Sequence, residues 1–544
     1  MRTRRPALLL ALLGGVLFAL TSPPTDLYPA VLLGLTLLAA AITLDAPTTG
    51  RAFGRGVAWG TAAGLVGLRF VPAVIQRFTT LGTPASLLAL LLLAAAQSLI
   101  WALGAALASL LHRRARVPFE IAFAAGIFLA VSLPALFAWS PAGLVSPWPS
   151  FVQLADLVGE RGVSALFAVG AALLARAVLA LAGRTPEGTA IPLPERTRDA
   201  IRTSLLALAL FTALSIHGAL RIRQIQAASA SLPAVRVGLV DHVVPPLARW
   251  DPKNHGAILA SLRELSRKSE DAGAELTIWP EAAYPYSVDH ESRTAPVGPH
   301  SIVSPRVRGP ILAGLITRDK AITVAANEVE QNSFNSAMLI TPDGAMSAPA
   351  DKLQLLWFGE MVPGGAYFPW LRRLFQKSGG LIPGTEPRAL VLPRNDAPAL
   401  RMAVLNCYED TLAPVGRTLV NALGPNLLVN ITNDAWFQDT AESELHARLA
   451  TMRAIELRLD LVRAVNLGVA SWVDAAGVVR ARYAGTAPEV LMATPVLRDE
   501  TRTIYARLGD TPLRLLFAAA IAFYVWRARR TARVAPKTLR SADP

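Results

Sequence analysis

Cysteine is nearly missing from this sequence: Cys407 stands alone among 544 residues. A single thiol excludes an internal disulfide and any metal site built from several cysteines. Charge is scarce as well. Charged residues make up 17% of the chain and hydrophobic residues 53%, the balance of a membrane protein rather than of an ordinary soluble domain. None of the seven histidines is spaced with the cysteine as a metal-ligating pair would be. No internal repeat or low-complexity stretch stands out. The net charge of +14 does not point to nucleic acid, because the basic residues gather beside apolar runs, as membrane topology requires.

Those apolar runs crowd into the first 220 residues and a short stretch near the end. A basic head, Arg2, Arg4 and Arg5, precedes the run 6–20. A signal peptide begins in the same way, but no small-x-small cleavage site follows and further apolar runs come at once, so it reads as a first span. Further spans are expected near 28–44, 56–76, 84–111, 119–139, 163–183 and 203–220, each about the length that crosses roughly 30 Å of hydrocarbon. Arg69 weakens the run 56–76, and the long run 84–111 has room to tilt. An eighth run, 512–526, is followed by Arg527, Arg529 and Arg530. With the first arginines in the cytoplasm, Arg51, Arg55, the 112–116 cluster, the 184–202 cluster and the C-terminal arginines all fall on one side. The chain then divides into a bundle of about seven spans (1–220), an outer domain (221–507) and a last span with a basic tail (508–544).

The outer region reads as alternating strands and helices. Strands are expected at 235–240, 276–279, 311–316, 336–341, 399–405, 426–431, 462–465 and 469–473. Amphipathic helices are expected at 254–272 and 442–460, the second carrying Leu445, Leu449, Met452, Ile455 and Leu459 at helical spacing. Such alternation implies a layered α/β domain.

Three stretches carry candidate chemistry. Glu281 follows Trp279-Pro280 at a strand end, a place where a carboxylate is commonly just solvated. Lys352 and Glu360 bracket an apolar segment ending in Gly359, which also fits a plain amphipathic stretch. Cys407 follows Asn406 at the end of an apolar strand, with Glu409 and Asp410 just beyond. A lone cysteine is more often a buried small hydrophobe than a nucleophile. Together, though, acid, lysine and cysteine each have a task in acyl transfer. The thiol must lose its proton, a carboxylate can take it, and an ammonium favours both thiolate and oxyanion.

Trp279-Pro-Glu281, Lys352 with Phe358-Gly-Glu360, and Cys407-Tyr-Glu409 resemble, in that order, the Glu–Lys–Cys triad of the nitrilase superfamily. Two further stretches add to this: Asn335-Ser-Ala337 before Pro342-Asp-Gly344, and Asn433-Asp-Ala-Trp-Phe437 before Arg453-Ala-Ile-Glu456. With the flanking spans, nearly the whole chain resembles the apolipoprotein N-acyltransferase family. The resemblance implies an α-helical multispan membrane bundle plus an α/β nitrilase-type α-β-β-α sandwich. It implies Cys407 as nucleophile, Glu281 as general base, and Lys352 with the backbone N–H of Tyr408 as the oxyanion site. Glu360 and Glu409 would support them, and Trp250 and Trp357 would meet substrate. The implied reaction takes an acyl chain from a phospholipid, holds it as a cysteine thioester, and passes it to the α-amino group of a diacylglyceryl-modified apolipoprotein. The implied place is the bacterial inner membrane, multi-pass, with the catalytic domain periplasmic, and no metal or organic cofactor is called for.

The match has departures. Asp241-His-Val-Val-Pro245 and Arg249-Trp250 stand where the family has Gln-Gly-Asn before the proline and then Lys-Trp. Leu356-Trp-Phe-Gly-Glu360 replaces Val-Pro-Phe-Gly-Glu, and Asn466-Leu-Gly468 replaces Asn-Asn-Gly. These bear on substrate choice. Two other readings stay open: a membrane-tethered amidase or nitrilase-type hydrolase, and a non-catalytic membrane binding module. The segments 284–299 and 364–380 are candidate lid loops, and Trp370, Leu371, Leu374 and Phe375 beside Arg372 and Arg373 are candidates to dip into lipid.

Overall fold

A computed structural model describes residues 4–44, 48–319, 322–325, 328–330, 332–362, 364, 367, 368, 370, 380–499 and 502–534. Up to Ser229 the chain is helical: α1 (Arg4–Ala19), α2 (Ala30–Thr43), α3 (Thr49–Gly67), α4 (Val71–Phe78), α5 (Thr83–Arg114), α6 (Phe119–Ala130), α7 (Ala155–Leu181) and α8 (Leu193–Ser229). Among the described residues, α5, α7 and α8 are long and apolar enough to cross a membrane, and α3 with α4 qualifies as one bent span. The helices α1, α2 and α6 are shorter apolar segments. Small residues let the helices approach closely. A Cβ on Gly104 of α5 would lie 2.4 Å from the Gly126 carbonyl of α6, and the converse holds at the same distance.

Three expected spans differ in detail. The run 56–76 is not one helix: the chain turns between Gly67 and Val71, and α3 and α4 meet at 59°. Pro72 is the reason, since it has no N–H to continue the α3 ladder. The run 119–139 is helical only to Ala130, and its remainder forms a loop ahead of Trp139. The run 203–220 lies inside a single 37-residue helix that passes residue 220 without a break.

The outer domain has four layers. One sheet runs, across its strands, Glu489–Ala493, Val237–Asp241, Leu276–Ile278, Ile311–Arg318, Ser333–Ile340 and Ala350–Asp351, with Ser287–Asp289 also paired to Ile311–Arg318. The other runs Val479–Tyr483, Ala470–Val473, Leu461–Asn466, Leu427–Asn433, Leu400–Asn406 and Leu390–Leu392. Alternation along each strand decides the layering. From Leu400–Asn406, Leu400, Met402 and Val404 face the other sheet, where Leu239, Ile278 and Leu312 meet them. Ala403 and Leu405 face outward onto helices α10 (Ala413–Leu423) and α11 (Glu442–Leu457). On the far side, Ile311, Ala313 and Leu315 pack on Ile258, Leu259 and Leu262 of α9 (His255–Asp271). The result is the α-β-β-α sandwich that the resemblance implied.

Helix α11 joins the two parts of the molecule. Leu445, Leu449, Met452 and Ile455, the face picked out by spacing, pack into the helical bundle. Its opposite face, Ala450, Ala454 and Leu457, packs on the sheet. A final helix, α12 (Thr511–Val534), lays Phe517 against Phe128 of α6, with ring centroids 5.4 Å apart.

The first candidate lid, 284–299, is anchored in the core at three points and exposed elsewhere, with Val297 82% exposed. Tyr284, Val288 and Ala295 are buried in the core beneath the first sheet, and the Tyr284 hydroxyl donates to the His300 carbonyl at 2.8 Å. Of the second candidate lid, Leu371, Arg372, Arg373, Leu374 and Phe375 lie outside the described residues, while Trp370 is exposed.

Candidate active site at the strand ends

Cys407 closes the strand Leu400–Asn406 and opens a short helical turn, Cys407–Thr411. Its φ of 54° lies in the left-handed region, which costs energy for any residue with a Cβ. This sharp elbow turns the chain at the strand's end, and Cys407 is itself half-buried there. Asn406 and Glu409 close the turn on itself: the Asn406 backbone N–H donates to Glu409 Oε2 at 2.8 Å. The other carboxylate oxygen of Glu409 accepts from the backbone N–H groups of Leu353 and Gln354 at 2.7 and 2.8 Å. Glu409 thus pins the Lys352 segment to the cysteine elbow.

Glu281 arrives from the other sheet. Pro280 ends its strand, and the turn lies directly on Gly314, where a Cβ would sit 2.2 Å from the Pro280 carbonyl. Only glycine admits that approach. Lys352 is 2% exposed. Its Nζ lies 3.1 Å from Glu281 Oε1 and 2.8 Å from Glu360 Oε2. The Glu281 Oε2 accepts from the Asn433 backbone N–H at 3.0 Å.

Electrostatics follow from this crowding. Burial alone would lower the Lys352 ammonium pKa, but the carboxylates of Glu281 and Glu360 outweigh it and hold it well above its ordinary value. Burial first, then the charge of Glu281, push the Cys407 thiol well above its ordinary value against the pull of Lys352. The resting site therefore holds a neutral thiol beside a charged lysine. A thiol held neutral in this way becomes a nucleophile only when a base takes its proton.

The structure brings Glu281, Lys352, Glu360 and Cys407 into one electrostatic cluster, with Glu409 as its brace. Tyr408 lays its ring 5.6 Å from Lys352 Nζ and donates its hydroxyl to the Leu355 carbonyl at 2.9 Å. Trp250 and Trp357 are not members of that charged cluster. Trp250 is 65% exposed on a short turn, with the Arg249 guanidinium 5.1 Å from its ring centroid. Trp357, 45% exposed, lines a cavity of about 320 Å³ between the bundle and the outer domain.

Residues 14–173 match the model for the apolipoprotein N-acyltransferase N-terminal domain, and residues 243–505 match the carbon-nitrogen hydrolase model. A relative from Geobacter metallireducens named apolipoprotein N-acyltransferase is 30% identical across 92% of this chain and 91% of its own. Relatives of the same name from Bradyrhizobium diazoefficiens and Rhodopseudomonas palustris are 31% and 28% identical, covering 95% and 96% of this chain and 94% and 95% of theirs.

The chain belongs to the apolipoprotein N-acyltransferase family.

Two features of this family member escaped sequence reasoning. Asn335 donates through one amide nitrogen to Glu281 Oε1 at 2.6 Å and to Glu360 Oε1 at 2.9 Å, and its oxygen accepts from Asn406 Nδ2 at 3.1 Å. It spaces the two carboxylates around Lys352. Its place in an Asn-Ser-Ala motif was visible, but its role was not. Beneath the elbow lies a buried cluster of Asp410, Asp434, His446 and Arg463. The His446 nitrogens lie 2.9 Å from Asp410 Oδ1 and 3.0 Å from Asp434 Oδ1. Arg463 donates to the other oxygens of both, at 3.0 and 2.9 Å. Burial and Arg463 lower the His446 pKa, the two aspartates raise it, and the aspartates win, pushing it up to about 9.

The 320 Å³ cavity supplies the last element. Tyr408, Leu412 and Val415 line it from the outer domain, and Ile100, Val131 and Leu136 from the bundle. An apolar space thus reaches from the helices to the residue beside the cysteine.

Proposed function

We propose that this chain transfers an acyl chain from a phospholipid to the N-terminal amine of a diacylglyceryl-cysteine apolipoprotein. The observation that carries the reading is the strained Cys407 elbow facing the Glu281–Lys352–Glu360 cluster, next to an apolar cavity shared with membrane-type helices. In the first step Glu281 takes the Cys407 proton, and sulfur attacks the ester carbonyl. Lys352 and the Tyr408 backbone N–H hold the oxyanion. The C–O bond breaks, the lysophospholipid leaves with the proton from Glu281, and a thioester remains. In the second step the acceptor amine attacks the thioester carbonyl and gives its proton to Glu281. The C–S bond breaks, an amide forms, and the thiol is restored. Glu360 and Glu409 hold Lys352 and the elbow in place, and Trp250 and Trp357 receive substrate. The setting we infer is the inner membrane, with the catalytic domain on the periplasmic side.

Intact-mass analysis after incubation with phospholipid vesicles tests this. Wild type is expected to gain a fatty-acyl mass that a diacylglyceryl-cysteine peptide discharges, and Cys407→Ser is expected to gain none. An adduct discharged by water but not by the peptide would replace the transferase with a hydrolase. Folded wild-type protein with no adduct from any phospholipid would sink the thioester mechanism.

A further inference from the structure

A second cavity, of about 390 Å³, opens where the catalytic domain meets the ends of α7 and α8. It shares no lining residue with the cavity beside Tyr408. Arg401 lines it from the end of the strand Leu400–Asn406 opposite Cys407. Among the described residues, positive charge dominates the wall: the guanidiniums of Arg221, Arg401, Arg458 and Arg502 meet two carboxylates there, those of Asp156 and Asp499.

Asp156 Oδ2 is shared between Arg221 at 3.2 Å and Arg458 at 2.9 Å. Asp499 pairs with Arg401. Arg502 donates to the neutral Asn421 Oδ1 at 3.3 Å. A fifth arginine, Arg498, also lines the cavity and donates to the Ile225 carbonyl at 3.3 Å. The crowding registers on Arg458: burial lowers its pKa, Asp156 raises it, Arg221 and Arg498 lower it again, and the net direction is down. An anion in the cavity would relieve that repulsion.

The surroundings say what kind of anion. Arg221 follows the apolar part of α8, and Asp156 lies in the first turn of α7, so the cavity sits where the apolar stretches of the membrane-type helices end. Leu157 and Ile504, 39% and 51% exposed, also line it. Guanidiniums recognise phosphate oxygens by paired N–H donors, and basic pockets beside spanning helices suit lipid headgroups. We propose that this cavity binds the phosphate of an anionic phospholipid headgroup, with the acyl chains running over Leu157 and Ile504. It is a lipid site separate from the Cys407 chemistry, one that ties the catalytic domain to the membrane surface.

Native mass spectrometry of the full chain tests the site by counting bound short-chain phosphatidylglycerol. Both proteins compared carry Cys407→Ser, so no acyl adduct alters the mass. The variant adds Arg221→Gln, Arg401→Gln and Arg502→Gln. It is expected to lose one bound lipid, with affinity falling roughly fivefold for each arginine neutralised. Short-chain diacylglycerol, which has no phosphate, should bind both proteins alike. The triple Arg→Lys variant should recover part of the loss, and Arg502→Gln alone, at an exposed position, carries the comparison if the triple variant unfolds.

An inorganic phosphate arm separates the sources. Phosphate that binds alone as tightly as the lipid supports phosphate recognition with free phosphate as the source, and phosphate that fails to bind alone identifies the headgroup. Equal phosphatidylglycerol binding by both proteins overturns the proposal. A parallel loss of phosphatidylglycerol and diacylglycerol also overturns it, because the cavity would then read apolar chains. None of these outcomes depends on acylation of Cys407, so failure here leaves the acyl-transfer reading standing.

Discussion

Cys407 is the only thiol in the chain, so its ionisation can be followed directly by the ultraviolet absorbance of the thiolate. Glu281 raises the Cys407 pKa and Lys352 lowers it. Glu281→Gln removes the raising charge and leaves the lysine, so the thiol midpoint should move down. Acyl transfer should nevertheless fall by roughly 10²–10⁴, the usual contribution of a general base. A thiol made easier to ionise in a far slower enzyme separates a base from a merely structural carboxylate, and an unmoved midpoint would count against the geometry. His446 makes a second prediction. Its pKa rises from 6.5 to about 9 on folding, so its protonated form stabilises the fold fully below pH 6.5, and that stability is lost as pH rises through 9. The loss is on the order of 3 kcal/mol at most. Neighbouring Glu442, pushed up to about 8 by burial, adds a loss of the same sign lower in the window. Thermal unfolding from pH 6 to 10 should show a falling midpoint, and His446→Gln should flatten the part above pH 8. Glu281, Lys352 and Cys407 were legible as candidates because each stands within a motif that resembles the family's. Asn335 and Asp434 stood in motifs without a legible role, and His446 stood in none, because an asparagine or a buried ion pair has no period and no spacing to announce it.

Elements show where periodicity informs and where it misleads. The strand around Met402 and the helix around Leu262 were legible from alternation and amphipathic spacing. The stretch holding the bend after Gly67 reads as one run because apolar composition reports burial or lipid rather than helix continuity, although Pro72 within it marks the break. Helix α11 was legible as a helix, yet its spaced leucines face the bundle rather than the sheet. What fastens α11 there is also buried charge. Arg453 Nη2 lies 2.6 Å from Glu160 Oε2 of α7 and 2.9 Å from Glu456 Oε2. The Glu160 backbone N–H donates to Glu456 Oε1 at 2.6 Å. Gly159, at φ 71°, breaks α7 just before this point, and its missing Cβ would stand 2.3 Å from the Tyr505 ring. Arg453→Met leaves two buried carboxylates facing each other and should cost about 3–5 kcal/mol, read as a lowered unfolding midpoint in detergent. Adding Glu160→Gln and Glu456→Gln should restore much of it, since removing all the charge also removes the desolvation it imposed. Failure of the triple variant to recover would mean that the arginine's packing, not its charge, holds the joint.

At the scale of the whole molecule, the bundle and the sandwich were each legible, but their docking was not, because its contacts join residues hundreds of positions apart. Arg77, after the α3–α4 bend, donates to the Trp436 and Gln438 carbonyls at 3.0 Å, and Arg448 of α11 reaches Asp26 at 2.6 Å. These bonds seat the sandwich so that the loop after α6 walls the cavity beside Tyr408. If the proposed acyl donor is bound in this cavity, the loop rather than the Glu281–Lys352–Cys407 cluster is where its chains enter. Ala138 lines the cavity from this loop. Ala138→Trp would fill the space without touching Glu281, Lys352 or Cys407. Transfer from long-chain phospholipid should fall by roughly tenfold or more, the loss expected when binding weakens by about 1.4 kcal/mol. Alkylation of Cys407 by a small reagent should hold, and short-chain ester donors should lose least. A uniform loss across chain lengths, or slowed alkylation, would mean that the substitution had shifted the docking itself. A loss graded by chain length would make the space between bundle and sandwich the acyl site, and the docking that no single segment of sequence encodes would then set the enzyme's choice of donor.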